Sequence, residues 1–323
     1  MVFCSRPYEP LFRNFFPEYI IEEFIYFWVY MVNTEKLCNE EEPFRQTEGL
    51  AEVFRDAGTH REVARIIQAH LTNPRDIRQV ALEGLDLSKV GRFVDLGCGF
   101  GYFTRGLRGR LSSSVHARGI DRHPGYKDFY MKACDESGFQ GEFCSEDISI
   151  IRKINTGTID LVICSFALYF FPEQLRHISR ILKHDGLFVT ITHSMPHMNE
   201  FTSVVKEILS SNGIEIDGNL PYEKLIAHFS NVNGISLLSN WFSHIESRDY
   251  SSSISFGPND MRDFETYFRF KQSFFLPESG NREYLVRLVL EDVGRRMTEK
   301  GCISITKDDI IFICGKPVQN SRT

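Results

Sequence analysis

The chain lacks closely paired cysteines. Its eight cysteines are scattered over 323 residues, and no two of them are separated by only two intervening positions. Structural zinc sites are usually built from such pairs, and a disulfide framework is typical of small secreted domains. We therefore expect free thiols, a cytoplasmic protein and no bound metal.

Positive charge is also in short supply. The chain has 37 Lys and Arg against 43 Asp and Glu, which gives a formal net charge of −6 at pH 7. Binding to a phosphate backbone depends on clustered basic side chains. The composition therefore disfavours a nucleic-acid partner, while 42% hydrophobic residues are ample for a packed core.

The sequence has no long hydrophobic run free of charge near its start. The aromatic stretch 11–32 is interrupted by Arg13, Glu18 and Glu22, which argues against a membrane span or a signal peptide. We expect an N-terminal extension over 1–45 with one helix at about 17–33. Its aromatic face would pack on the body of the protein or on a second copy in a homo-oligomer. Membrane-surface association and disorder are the alternatives.

What the sequence does have is a turn with three glycines on alternate positions, Gly97, Gly99 and Gly101. It follows a short apolar stretch that predicts a buried strand, and a helix carrying Leu107 and Leu111 is predicted after it. Glycines there let the backbone approach a ligand closely. The helix start would add free N–H groups and the positive end of a dipole. This combination suits a nucleotide-like ligand.

Strand-like and helix-like stretches alternate after this turn. Strands are predicted at 92–96, 117–120, 141–145, 159–165 and 187–192, with helices at 126–137 and 172–182 between them. Such alternation predicts an α/β protein with a doubly wound parallel sheet. The helices predicted at 46–85 precede the first strand, and we expect them to cover the mouth of a ligand cleft.

Acidic residues follow three successive predicted strands: Asp95, Asp121 and Asp147. In a parallel sheet these strand ends meet at the edge where ligands bind. Asp95 could face a cationic group, Asp121 could accept both ribose hydroxyls, and Asp147 could accept from an adenine amine with Ile148 against the base. Each Asp alone could equally be a turn or capping residue, but together they favour a nucleotide site.

Five segments carry a family resemblance: VDLGCGFGYF at 94–103, GID at 119–121, SEDI at 145–148, TIDLVICSFALYFF at 158–171 and ILKHDGLFVTIT at 181–192. Together they resemble the core of class I S-adenosylmethionine-dependent methyltransferases. The resemblance implies a seven-stranded, mostly parallel sheet with an antiparallel last strand between strands five and six. It also implies S-adenosylmethionine as the methyl donor.

The resemblance further implies where that cofactor binds. Asp95 would lie near the methionine moiety, the glycines would line the methionine and ribose, and the Ser165 region would meet the methionine amino group. The implied cofactor-binding residues are Asp95, Gly97, Cys98, Gly99, Gly101, Tyr102, Asp121, Asp147, Ile148 and Ser165.

The main rival with the same fold is a nicotinamide-dependent dehydrogenase. Its fingerprint places the third glycine one position later than here, where this chain has Tyr102. A side chain there compromises both the close helix packing and the pyrophosphate seat. A sulfonium methyl donor has no pyrophosphate and does not need that seat.

His193, directly after the predicted fifth strand, is the best candidate for a general base. A base is needed only where the acceptor must lose a proton during the attack. Tyr169, in the loop after strand four, is a candidate for orienting the acceptor. The alternatives are a His that merely bonds the loop and a Tyr that packs in an aromatic run.

The acceptor is expected to be a small molecule. The loop after strand four lacks the Asn/Asp-Pro-Pro-Tyr signature of base or glutamine amino methylation, and no clustered metal ligands indicate a catechol type. Small-molecule O-, N- or C-methylation, for instance in secondary metabolism, remains. A methyltransferase acting on protein or RNA and a catalytically silent cofactor-binding protein are the alternatives.

The last third of the chain is expected to choose the acceptor. We predict a methyltransferase core over 46–257 with a sixth strand at 241–256 that is bent by the serines at 251–253, a helical lid insertion over 258–301, and a final strand and tail over 302–323. The insertion carries an aromatic series: Phe264, Tyr267, Phe268, Phe270, Phe274 and Phe275. We expect part of it to roof an apolar or aromatic acceptor pocket together with the N-terminal helix. Core packing or a subunit interface is the alternative.

Overall fold

The structure is a computed structural model that describes residues 49–216, 218–277 and 281–318. The expected N-terminal helix and the extension over 1–45 lie outside the described residues. In chain order the helices and strands are α1 (Ala57–His70), α2 (Ile77–Leu82), β1 (Arg92–Leu96), α3 (Tyr102–Gly106), β2 (His116–Ile120), α4 (Lys127–Ser137), β3 (Gln140–Cys144), β4 (Ile159–Ser165), α5 (Leu175–Ile181), β5 (Leu182–His193), α6 (Asn199–Ser211), α7 (Pro221–Ile226), α8 (Gly234–Ser239), β6 (Phe242–Tyr250), β7 (Ser253–Phe256), α9 (Met261–Phe275), α10 (Arg282–Lys300), β8 (Ile303–Thr306) and β9 (Asp309–Pro317).

Seven of these strands form one sheet in the order β3-β2-β1-β4-β5-β9-β6. Strands β1 to β5 pair in parallel, and β9 runs antiparallel to both β5 and β6. The predicted doubly wound sheet with an antiparallel last strand between strands five and six is therefore confirmed. Its parallel strands all end at the same edge.

Apolar side chains cover both faces of this sheet. On β1, Val94 and Leu96 belong to one buried core, while Phe93, directly before them, belongs to a core on the opposite face. Strands buried on both faces need apolar residues at successive positions, because helices cover each side of a parallel sheet. This explains why the strand before the glycine turn was recognisable as a short apolar run.

The predicted single strand over 241–256 is wrong. The chain leaves the main sheet at Ser251 and Ser252, and β7 pairs instead with β8 in a separate two-stranded sheet. The N–H of Ser252 donates to Oδ1 of Asp308 at 2.9 Å. Because that N–H bonds to a side chain rather than to a neighbouring strand, the ladder of β6 ends there.

Two further boundaries differ from the predictions. Helix α3 ends at Gly106, so Leu107 is its C-cap and Leu111 lies beyond it. The left-handed φ of +73° at Gly109 does not fit a continuing helix. Strand β5 begins at Leu182 rather than at 187, because Leu182 already pairs with Ile159 across a bulge.

The segment 258–301 contains helices α9 and α10, as predicted. Most of the aromatic series of α9 is buried, so it belongs to the core: Phe264, Tyr267, Phe268, Phe274 and Phe275. Phe270 differs from the others because it is only half-buried. Among the helices that the structure describes, none is long and apolar enough to cross a lipid bilayer.

Candidate active site

The glycine turn between β1 and α3 has left-handed backbone at all three glycines, with φ of +64°, +48° and +75° at Gly97, Gly99 and Gly101. A Cβ at Gly101 would lie 2.5 Å from the Cβ of Ala133 on α4, and a Cβ at Gly97 would lie 2.7 Å from the Cβ of Ala167. At Gly99 the nearest atom, a ring carbon of Tyr126, is 3.9 Å away. Two glycines therefore permit close packing, whereas a Cβ at the middle one would meet only an ordinary van der Waals contact.

Gly101→Ala is expected to lower the free energy of unfolding by about 2–4 kcal/mol. A residue with a Cβ is unfavourable in the left-handed backbone conformation, and the added methyl group also overpacks the contact with α4. Gly109→Ala is the matched control, since its φ is +73° and no atom lies within 4 Å of its added Cβ. That variant should lose only about 1–2 kcal/mol. Urea unfolding of both measures the difference, and equal losses would contradict the packing argument.

The N–H groups of the turn are already hydrogen-bonded within the protein. Gly97 and Cys98 donate to the carbonyl oxygen of Ile120 at 2.9 and 3.2 Å. Gly99 donates to Oδ2 of Asp121 at 3.0 Å. These three residues precede α3, which begins at Tyr102 and is only five residues long, so their bonds leave the expectation of free N–H groups at the helix start untested. The three turn N–H groups themselves are not free to bind a pyrophosphate, which disfavours the dehydrogenase.

Asp95 is a buried carboxylate close to the turn, with 1% of its surface exposed. Its Oδ2 accepts a hydrogen bond from the Thr104 hydroxyl at 2.8 Å. Its Oδ1 is buried without a hydrogen-bond partner among the described residues. Burial raises the pKa of Asp95 to about 7, and the Asp121 carboxylate adds to that rise. A cationic ligand would relieve this uncompensated burial.

Asp121 follows β2 and holds the turn in place. Its Oδ2 accepts the Gly99 N–H, and its Oδ1 accepts the N–H of His123 at 3.0 Å. Burial raises the pKa of this carboxyl, against these two hydrogen bonds. A carboxylate oxygen accepts more than one hydrogen bond. Asp121 can therefore hold the turn and still accept from two hydroxyl groups of a ligand.

The other expected cofactor residues are distributed around the same edge. Asp147 is exposed and caps the short helix Ile148–Lys153 by accepting the N–H of Ser149 at 2.9 Å. This is the ordinary capping role named above, so a ligand would have to share the carboxylate with that cap. Ile148 is buried, and Ser165 is half-buried at the end of β4.

The side chains of Cys98 and Tyr102 are occupied by packing. Sγ of Cys98 lies 2.7 Å from the position that a Cβ of Gly119 would take. The Tyr102 ring lies 4.3 Å from the guanidinium carbon of Arg78. These two residues therefore contribute to the turn mainly through their backbone.

His193 ends β5 and lies opposite Asp309, the first residue of β9. Its Nδ1 is 2.7 Å from Oδ1 of Asp309, and Nζ of Lys307 is 2.5 Å from Oδ2 of the same carboxylate. The three side chains are 9%, 1% and 12% exposed. The sequence interpretation found His193 and missed its two partners, because only the antiparallel register of β9 brings them to this edge.

Burial lowers the pKa of His193 well below 6.5, and the positive charges of Lys307 and Lys271 add to that effect. His193 is therefore neutral near pH 7. A neutral imidazole whose Nδ1 faces a carboxylate carries its proton on Nδ1. Its Nε2, which has no hydrogen-bond partner within the described part of the chain, is left as a proton acceptor.

Tyr169 lies directly against this imidazole. The two rings are stacked with centroids 5.6 Å apart and an interplanar angle of 24°. The tyrosine is buried, and burial raises its pKa, so its hydroxyl stays protonated and can donate a hydrogen bond. The structure thus brings the two expected catalytic residues together.

His197 adds a second imidazole, with its ring centroid 4.0 Å from that of His193. Its Nδ1 bonds the Tyr222 hydroxyl, and its Nε2 lies 3.7 Å from Oδ1 of Asp309. One ligand atom each of His193, His197 and Asp309 lie within 4.8 Å of one another, close enough to share a metal ion. The Lys307 ammonium already neutralises this carboxylate and would repel a divalent cation. The arrangement therefore favours proton transfer over metal binding.

Half-buried rings connect the glycine turn to this histidine. The ring centroid of His60 lies 5.2 Å from that of Phe100 in the turn and 5.5 Å from that of Phe270 on α9, on which it stacks. The ring centroid of Phe54 lies 4.9 Å from that of His60 and 6.2 Å from that of Phe170, and Phe170 adjoins Tyr169. We call Phe54, His60, Phe100, Phe170 and Phe270 the aromatic wall. Phe54 and His60 belong to the segment before β1, which was expected to lie over the cleft.

Comparison with protein families matches residues 93–186 to the family described as "Methyltransferase domain". The matched residues include the glycine turn, Asp121, Asp147 and the loop after β4. His193, Asp309 and the α9 helix lie outside the match. A comparison with curated protein sequences finds no match.

Solved structures include several that are similar to this chain at low sequence identity. YcgJ from Bacillus subtilis is 15% identical with a TM-score of 0.45, over 80% of this chain and 99% of that one. Phosphoethanolamine N-methyltransferase 2 from Haemonchus contortus, solved with phosphomonomethylethanolamine and S-adenosylhomocysteine, is 13% identical with a TM-score of 0.41, over 75% and 52%. The [4+2]-cyclase SpnF is 12% identical with a TM-score of 0.46, over 81% and 95%.

Proposed function

We propose that this chain is a class I S-adenosylmethionine-dependent methyltransferase that moves a methyl group to a small and largely apolar or aromatic metabolite, in agreement with the methyltransferase domain matched at residues 93–186. The observation that carries the proposal is the placement of three groups at one sheet edge. The unpartnered Oδ1 of Asp95, the uncrowded backbone of Gly99 and the neutral imidazole of His193 all lie where the parallel strands end.

The residues at the turn fit the methyl donor. Asp95 would face its cationic methionine end, and Asp121 would accept from its ribose hydroxyls. Asp147 and Ile148 would meet the adenine. Gly97, Cys98, Gly101, Tyr102 and Ser165 would complete the site, largely through backbone groups. When bound, S-adenosylmethionine supplies an electrophilic methyl group on a positively charged sulfur, so positioning and exclusion of water account for much of the catalysis.

His193 is the proposed general base for an acceptor that is methylated at an O–H or N–H group. Its Nε2 accepts the proton, and Asp309 holds the imidazole through Nδ1 and stabilises the positive charge that results. Tyr169 keeps the imidazole in its plane by stacking, and its hydroxyl is available to orient the acceptor. Because Asp309 is separated from bulk water, it holds the imidazole and stabilises its positive charge more strongly than an exposed carboxylate would.

The aromatic wall is the proposed contact surface for the acceptor. Its five rings are half-buried, whereas the neighbouring aromatic residues of α9 are buried in the core. Apolar surface that stays accessible beside a polar reaction centre is typical of a small-molecule pocket. In this proposal only Phe270 and its neighbours, and not the whole segment 258–301, cover the acceptor as a lid. Unpaired thiols at Cys98, Cys134, Cys164 and Cys314 support a cytoplasmic location.

Turnover of the methyl donor tests this function. The purified chain should form S-adenosylhomocysteine with at least one member of a panel of small aromatic and aliphatic alcohols, amines and acids. Labelled methyl groups should not appear in protein or RNA from a cell extract. Label confined to protein or RNA would establish the alternative substrate class. Donor binding without turnover of either kind would indicate a silent cofactor-binding protein.

A further inference from the structure

Lys271 on α9 is a cation without a carboxylate partner. Its Nζ lies 5.1 Å from the centroid of the Tyr267 ring. No Asp or Glu oxygen of the described residues lies within 4.0 Å of it, whereas Lys307 pairs with Asp309 at 2.5 Å. A lysine that faces inward without a partner is unusual, because desolvation of an ammonium group is costly.

Lys271 is neither fully buried nor fully exposed. The side chain keeps part of its surface accessible. Burial nevertheless lowers the pKa of its ammonium to about 8, and the charge of Lys307 acts in the same direction while Asp309 opposes it. An ammonium that is partly desolvated yet still accessible can be reached by a bound molecule.

Lys271 adjoins the aromatic wall that is proposed to bind the acceptor. Lys271 follows Phe270, which stacks on His60 of the aromatic wall. Burial is the main cause that lowers the pKa values of His60, His193 and His197, and the charge of Lys271 adds to the lowering in each case. Its ammonium is therefore within electrostatic reach of both the apolar wall and the proposed base.

We propose that Lys271 is a carboxylate-binding subsite, and that the methyl acceptor is an apolar molecule carrying one carboxylate group that pairs with this ammonium. The inference rests on the proposed function and names the substrate class more narrowly. The aromatic wall takes the apolar body, and Lys271 fixes one end of it relative to His193. A carboxylate at Lys271 also offsets one of the two positive charges that weaken His193 as a base.

Calorimetry with a matched pair of probes tests the subsite without turnover. Naphthalene-2-carboxylate and naphthalene-2-carboxamide have the same apolar body and differ in charge. With S-adenosylhomocysteine present at saturation, the wild-type chain should bind the carboxylate about 10-fold or more tightly than the amide, as one charge-assisted contact allows. Lys271→Met should abolish the preference, and Lys271→Arg should keep most of it. Lys300→Met removes an exposed lysine of the neighbouring helix and should change nothing.

Equal affinity of the wild-type chain for the two probes, or no binding of the carboxylate, would overturn the proposal. Weaker binding of S-adenosylhomocysteine to Lys271→Met, with the probe preference intact, would assign the lysine to the methionine carboxylate instead and also overturn it. The Arg variant keeps the test decisive if the Met variant does not fold. Failure of the proposed function would look different, because the wild-type chain would then either not bind S-adenosylhomocysteine or bind the methyl donor without turning it over.

Discussion

His193→Gln is expected to lower kcat by about 100- to 10,000-fold, the range that a positioned general base contributes. Glutamine keeps a polar side chain of similar length at the end of β5 but cannot take up the proton at neutral pH. The affinity for S-adenosylmethionine should stay unchanged, since Asp95 and Asp121 are intact. Initial rates under donor saturation, together with calorimetry of donor binding, separate the two effects.

His184→Gln is the matched control, because His184 is an exposed residue at the other end of the same strand. It should retain full activity. Asp309→Asn should lower kcat in the same direction as His193→Gln, since an amide no longer favours the Nδ1–H tautomer. A His193→Gln variant with wild-type kcat would show that the imidazole moves no proton.

The pH profile of the wild-type chain gives an independent readout of His193. A base must be neutral to act, so activity falls as pH decreases through its pKa. Burial and the nearby lysines hold that pKa well below 6.5. We therefore expect kcat to stay constant from pH 8 down to about 6.5, with the acid limb below it. An acid limb centred at 6.5 or above would contradict the desolvated site.

Asp121→Ala is expected to weaken S-adenosylmethionine binding by on the order of 100-fold or more. Hydrogen bonds to a charged group contribute about 1.5–3 kcal/mol each, and two ribose hydroxyls would lose their acceptor. The variant also releases the N–H of Gly99 and thereby loosens the turn. The affinity of Asp121→Asn for S-adenosylmethionine should lie between those of the wild-type chain and Asp121→Ala, because an amide oxygen still accepts hydrogen bonds but carries no charge.

Asp160→Ala is the control for structural damage. Asp160 likewise accepts two backbone N–H bonds, from Gly91 at 3.0 Å and Arg92 at 2.8 Å, but it lies where β4 begins and far along the strand from Ser165. Its loss should reduce stability and leave donor affinity unchanged. Comparable affinity losses in the two variants would mean that Asp121 acts through the fold alone.

The sheet was predictable because its signals are local. The run Phe93–Val94 before a glycine turn, and Asp121 and Asp147 after the next two strands, follow from the alternation of buried strands and helices. A bend at the serines 251–253 was predictable, but the complete break at Ser251 and Ser252 was not, because it depends on a contact with Asp308 far along the chain. Sequence periodicity does not report which strand a backbone N–H will face.

In the proposed catalytic site, too, local sequence signals were predictive and long-range contacts were not. His193 was found because it follows a recognisable strand, whereas Asp309 and Lys307 reach it only through the antiparallel pairing of β5 with β9. One signal was available: an acidic residue stands at the start of the last apolar strand, which an antiparallel neighbour brings to the end of strand five. Lys271 had no such signal, since a lysine on an aromatic helix is ordinarily exposed.

A crystal structure of the chain with S-adenosylhomocysteine is the most direct measurement of the donor site on which every proposal above depends. We expect the nucleoside over the glycine turn, both ribose hydroxyls about 3 Å from the carboxylate of Asp121, and the sulfur directed toward the His193 side of the cleft. Density for the nucleoside at another surface, or a ribose without contact to Asp121, would contradict the account.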